Sequence, residues 1–147
     1  MIESILCAVE GSPESLDALR YAARLARDLS ASLTLLHVES APRGGVLFAP
    51  YSPTEPPDEE GWRAIASRLL GDEVEVHFAT GDAAHEIVHF ARKAKSDLIV
   101  LGSRARTPAS LAVASAVGGV LPRAPCPVTV VPAGSQPAEA EVPARAA

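Results

Sequence analysis

The stretch with the most direct chemical reading is His85-Glu86-Ile87-Val88-His89. It matches H-E-x-x-H, in which two histidines one helical turn apart hold zinc and the glutamate serves as base. In a helix over residues 83–94, the apolar positions Ala84, Ile87, Val88, Ala91 and Ala94 define the buried face. At about 100° per residue, His85 and His89 then project to the far side, toward solvent. His37 falls in one strand and His77 on the polar face of another, so no third ligand converges. The expectation is no catalytic metal, only a surface pair able to take up divalent ions. Nucleophilic catalysis is served no better. Ser12 reads as a helix cap, Ser103 has no histidine paired with it, and no G-x-S-x-G elbow occurs. A Walker A lysine and a G-x-G-x-x-G fingerprint are also missing. The chain is expected not to be an enzyme.

What remains is a strand edge. Leu98-Ile99-Val100-Leu101 is apolar without alternation, as in a strand buried on both faces of a parallel sheet. The sequence predicts a turn at Gly102-Ser103, then Arg104 and Arg106, then a small-residue helix over residues 109–121. Strand, glycine turn and helix start together present backbone N–H groups at the carboxyl edge of a sheet, where anions and nucleotides bind. Glu10, closing the first strand, and Gly102, closing the fourth, would flank that crevice.

The elements that position this edge follow in regular order. Ile5 to Val9 reads as a first buried strand. Ser12, Pro13 and Glu14 then form a helix start with cap, first-position proline and dipole-complementing acid. In that helix Leu16, Leu19, Ala23, Ala26 and Leu29 keep apolar spacing, with Asp17, Arg20, Arg24 and Arg27 on the other side. A second strand lies within residues 31–38. The Pro/Gly-rich residues 40–57 form a loop, and a helix over 58–70 packs through Trp62, Ile65, Ala66 and Leu69. Residues 73–79 alternate Val74, Val76 and Phe78 with Glu73, Glu75 and His77, the mark of an edge strand with one wet face. Pro125-Cys126-Pro127 opens a last strand at 128–131, and residues 133–147 read as a disordered tail. Strands alternating with helices predict a single α/β domain over 1–132: an open parallel sheet with helices on both faces.

Composition bounds the function. The 147 residues are 48% hydrophobic and 21% charged with a formal net charge of -5, enough chain for one buried core. No basic stripe stands out and aromatic content is 4%, which argues against nucleic acid as a partner. No apolar run approaches the roughly 20 residues of a spanning helix, and no secretory leader is evident. Cys7 and Cys126 sit in apolar runs as small buried hydrophobes. A cytoplasmic protein with no membrane partner is expected.

Four segments then carry a resemblance. Residues 5–13 (ILCAVEGSP), 35–38 (LLHV), 97–104 (DLIVLGSR) and 124–131 (APCPVTVV) resemble, in order, the universal stress protein family. The resemblance implies a doubly wound, Rossmann-like five-stranded sheet in order 3-2-1-4-5. It also implies a homodimer joined through the last strand, Val128 to Val131, and a role in stress survival without catalysis. ATP-binding members of the family resemble G-x-x-G-x9-G-[ST] after the fourth strand, with an aspartate closing the first. Gly102 keeps the first glycine and Val38 the position lining the adenine pocket. Glu10 stands at the aspartate, Ala105 at the second glycine, Ser115 at the third, and Ala116, followed by Val117, at the hydroxyl residue. A Cβ at Ala105 or Ser115 obstructs close backbone approach to phosphate. Ala116 removes a hydroxyl, and Glu10 carries its charge about one methylene further. Each lost hydrogen bond is worth on the order of 1 kcal/mol, so several together weaken binding by a few powers of ten. The expectation is a non-enzymatic stress-response protein that binds ATP weakly or not at all and needs no cofactor. The alternative is an ATP- or AMP-binding regulatory module in which Arg104, Arg106 and the Ser103 hydroxyl take over the phosphate contacts.

Overall fold

The computed structural model describes residues 1–9, 13–39, 57–103, 116–132 and 134–135. Nine elements alternate along the described residues: β1 (Ser4–Val9), α1 (Pro13–Leu29), β2 (Ser32–Glu39), α2 (Glu59–Leu70), β3 (Glu75–Thr80), α3 (Ala83–Ala94), β4 (Leu98–Ser103), α4 (Ala116–Val120) and β5 (Val128–Pro132). The strands form one sheet in the order β3-β2-β1-β4-β5, every pair parallel. This is the doubly wound arrangement expected from the alternation and the resemblance. β3 lies at one edge, as its alternating pattern predicts, and β5 at the other. No described helix is long and apolar enough to cross a membrane.

Period-2 alternation divides the strand side chains between two cores. On the first face, Ile5, Cys7 and Val9 of β1, Leu33 and Leu35 of β2, and Leu98 and Val100 of β4 pack under α1 and α2. On the second face, Leu6, Leu36, Val38, Ile99 and Leu101 pack under Ile87, Val88 and Ala91 of α3 and Val117 and Val120 of α4. The helices begin and end on local signals. Asp58 caps α2 by accepting from Gly61 N–H at 2.8 Å, and Gly71 ends it with φ 78°. Asp82 caps α3 by accepting from His85 N–H at 2.9 Å.

Several details depart from the expected pattern. In α1 the buried positions are Ala18, Leu19, Ala22, Ala23 and Ala26, whereas Leu29 is exposed and Leu16 half-buried. Asp17, expected on the solvent side, is buried. Its carboxylate accepts from Gly134 N–H at 2.8 Å and pairs with Arg20 at 3.1 Å. A carboxylate with two such donors tolerates burial that an unpaired one does not. Gly134 and Ser135 form a turn after β5, with the Ser135 hydroxyl donating to Pro132 O. Ala94 is exposed because α3 is already turning off at Lys95, whose φ is 53°. Gly102 does not turn the chain: β4 continues through Ser103, with Gly102 paired to Val131, and its φ is not in the left-handed region. Of the helix expected over 109–121, the described part is α4. The loop at 40–57 falls almost wholly outside the described residues, as does most of the tail.

The amino-terminal end of the sheet is closed by one side chain. The Asp97 carboxylate accepts from the N–H groups of Glu3 and Ser4 at 2.9 and 3.0 Å, and Ser32 N–H donates to Glu3 O at 2.9 Å. A cavity of about 240 Å³ at this same end is lined by Ala26, Ser30, Ala31, Ser32, Leu70 and Asp72. It lies opposite the carboxyl edge, where ligands of doubly wound sheets bind.

Candidate functional site

The carboxyl edge opens where the two halves of the sheet separate. β1 stays paired with β2 from Ser4↔Ser32 to Val9↔His37. Its pairing with β4 runs only from Ile5↔Leu98 to Cys7↔Val100, and Ala8 and Val9 have no β4 partner among the described residues. β4 meanwhile follows β5 to Ser103↔Pro132. The crossovers leave toward opposite faces at this point, the arrangement in which doubly wound sheets form a crevice at the carboxyl ends of their strands.

Strand parity decides which side chains reach that gap. Val38, near the end of β2, belongs to the core under α3 and α4 and is 8% exposed. Ser103, two residues past Leu101 on β4, shares that face and is 5% exposed. Between them Ala8 of β1 packs against the same core. Its side chain adds only a methyl group to that face. Ala116 and Val117 begin α4 on the same core, Val117 buried and Ala116 at its margin. The fold thus brings Val38, Ser103, Ala116 and Val117 to one face. Gly102 has the opposite parity, toward α1. Glu10, Arg104, Ala105 and Ser115 lie outside the described residues. Ala8 was not singled out in the sequence, although the alternation of β1 places it.

Beside the crevice, on the first face, sits a buried Trp62–His37 pair, covered by the exposed Phe78, that the sequence did not suggest. The Trp62 indole N–H donates to His37 Nδ1 at 2.8 Å, and both residues are buried. Phe78 stacks on the His37 ring at 4.8 Å between centroids. His37 Nδ1 must be unprotonated to accept, so the neutral ring carries its proton on Nε2. This histidine anchors α2 to β2 and does not face the crevice. His85 and His89 are exposed on α3 as expected, with parallel rings 6.2 Å apart. Among the described residues no group of three or more His, Cys, Asp or Glu side chains could hold a metal.

Neither thiol is activated by its position. Burial pushes the Cys7 thiol far above its ordinary range. Partial burial, followed by the negative charge of Asp97, also raises Cys126. Both are free.

An open, doubly wound parallel sheet in which β1 and β4 part at their carboxyl ends defines a Rossmann-like α/β protein. The universal stress protein family matches the chain over residues 1–132, and the chain belongs to that family. A universal stress protein of Methanocaldococcus jannaschii is 30% identical over 151 aligned positions, spanning 89% of this chain and 82% of that protein. One from Bacillus subtilis is 31% identical over 119 positions, spanning 71% and 80%. A universal stress protein solved in complex with cAMP superposes with a TM-score of 0.69 at 21% identity, over 90% of this chain and 98% of that one. The Archaeoglobus fulgidus protein solved with dAMP gives 0.59 at 25% identity, over 88% and 97%.

Proposed function

We propose that this chain is a non-enzymatic stress-response protein whose crevice admits the adenosine part of a nucleotide and disfavours a triphosphate. The observation that carries this reading is the gap beyond Cys7↔Val100, with Val38, Ala8 and Ser103 on one face of it. Apolar walls suit a base, and the buried Ser103 supplies a hydroxyl where the sugar or first phosphate would lie. The dAMP complex of the Archaeoglobus fulgidus relative supports the same ligand class. Beyond the first phosphate, the sequence puts side chains at Ala105 and Ser115 and an alanine at Ala116, where family members that hold ATP have glycines and a hydroxyl. Catalysis is no part of this reading, because the chain's one hydrolase-like motif faces solvent away from the crevice.

The protein would work in the cytoplasm, where a reducing environment keeps Cys7 and Cys126 as thiols. It would do so as a homodimer. β5 is a sheet edge whose Val128, Thr129 and Val130 are half-buried in the single chain, and an unpaired edge strand invites a second one. Light scattering on the purified chain reads the mass directly.

Calorimetric titration with AMP, dAMP, cAMP and ATP tests the site. AMP-class ligands should bind at least tenfold tighter than ATP, and Val38→Phe should abolish their binding by filling the wall. Micromolar ATP binding would instead establish the alternative, an ATP-responsive module that uses Ser103, Arg104 and Arg106.

A further inference from the structure

His85 and His89 are a chemically distinctive pair that the crevice does not use. They lie on the solvent face of α3, one turn apart, with rings 8° from parallel and 6.2 Å between centroids. We infer that this pair is a chelating site for a borderline divalent transition ion, Cu2+ foremost, independent of the nucleotide crevice.

Side chains at i and i+4 on a helix stand about 5–6 Å apart at their Cβ atoms. Two imidazoles at that spacing can reach one ion at metal–nitrogen distances near 2.0–2.1 Å after a small rotation about their side-chain bonds. Their backbone is held before metal arrives. Ala84, Ile87, Val88 and Ala91 are buried beneath the helix, and Asp82 caps it through His85 N–H. The ion therefore does not have to order the segment, and two nitrogens act as one chelate. No third protein donor converges among the described residues, so the remaining positions are left to water or to an incoming donor. That open arrangement suits docking or exchange of metal and lacks the closed shell of a structural site. Imidazole donors rank Cu2+ above Ni2+ and Zn2+. Two histidines alone do not overcome that order as a tetrahedral four-ligand shell could. Arg92, near the same turn, is engaged elsewhere, donating to Arg123 O at 3.1 Å. The cation nearest in sequence on this face is Lys93, exposed and able to swing away.

The test is titration of the full, tag-free chain with Cu2+, Ni2+ and Zn2+, monitored by calorimetry and by electron paramagnetic resonance of the copper form. One saturable Cu2+ per chain is expected, bound at least tenfold tighter than Zn2+, with a spectrum showing two coordinated imidazole nitrogens. His85→Ala and His89→Ala should each weaken Cu2+ at least tenfold and leave one imidazole, and the double variant should lose the remainder. His77→Ala, which removes an exposed histidine on β3, should leave binding unchanged. All variants remove solvent-exposed rings, and their melting curves in chelator should coincide with the parent's. Wild-type copper affinity in both single α3 variants would overturn the assignment, as would the absence of saturable binding. AMP affinity, measured with and without copper, should not change; a change would show that this site is not independent of the crevice.

Discussion

The two faces of the sheet solve the same packing problem in opposite ways. Under α1 and α2 the gap is filled by bulk: Trp62 is fully buried, and its indole N–H is tied to His37. Under α3 and α4 the gap is removed instead. Gly119 brings α4 so close to α3 that a Cβ on it would stand 2.5 Å from the Ala84 Cβ. The first face is thus fixed by a directional polar contact inside an apolar core, and the second by the absence of a side chain. The crevice opens on the second face, where the residues are small, and the polar anchor lies on the first, where it does not obstruct a ligand.

The largest effect should come from breaking the bulk. Trp62→Ala is expected to cost about 3–5 kcal/mol in urea unfolding, the usual range for truncating a buried large aromatic. Trp62→Phe separates volume from hydrogen bonding. It removes the donor to His37 Nδ1 and should cost about 1–3 kcal/mol; a cost near zero would mean that bulk alone holds α2.

Gly119→Ala probes the other face. Overpacking of this kind typically costs about 1–3 kcal/mol. Combined with Ala84→Gly, which vacates the contested space, most of that loss should return as a coupling between the two sites. If the double variant is merely additive, close approach of the helices is not what fixes α4.

A smaller effect is expected at Asp97, which serves both faces by closing the amino-terminal end. The N–H groups of Glu3 and then Ser4 hold its carboxyl below the ordinary carboxylate range. A depressed folded-state pKa means that the contribution is complete above the unfolded value and lost as pH falls through the folded one. Asp97→Asn should therefore lower the urea midpoint at neutral pH and flatten its fall in acid, with the two proteins converging at the lowest pH.

The smallest perturbation is a label. Cys7 packs into the first core, whereas Cys126 sits at the margin of the second. A thiol reagent should modify Cys126 in the native protein, slowly because its thiol is held protonated. Cys7 should react only on unfolding. Native-state labelling of Cys7 at a rate near that of Cys126 would show that the first face opens as readily as the second.

Much of this architecture was legible without coordinates. Unbroken apolar runs at Ile5 to Val9 and Leu98 to Leu101 announce strands covered on both sides, and the alternation of residues 73–79 announces an edge. Asp58 and Asp82 lie where helix starts were expected. The candidate site was legible only in part. Val38 and Ser103 do reach one face, but Gly102, expected as a turn, extends β4 and has the parity of the other face. A glycine reads as a turn in one dimension because its freedom is local, whereas pairing to Val131 is not.

The sequence by itself determined the order of elements and the parallel sheet, because periodicity and turn chemistry act over a few residues and are written there; the family came from the resemblance of four segments. Only the tertiary structure decided that Asp17 is buried against Gly134, that Trp62 donates to His37, and that Gly119 must lack a side chain. Each of these depends on a partner tens of residues away. A side chain's environment is set by the chain that folds against it, and that cannot be read from its immediate neighbours.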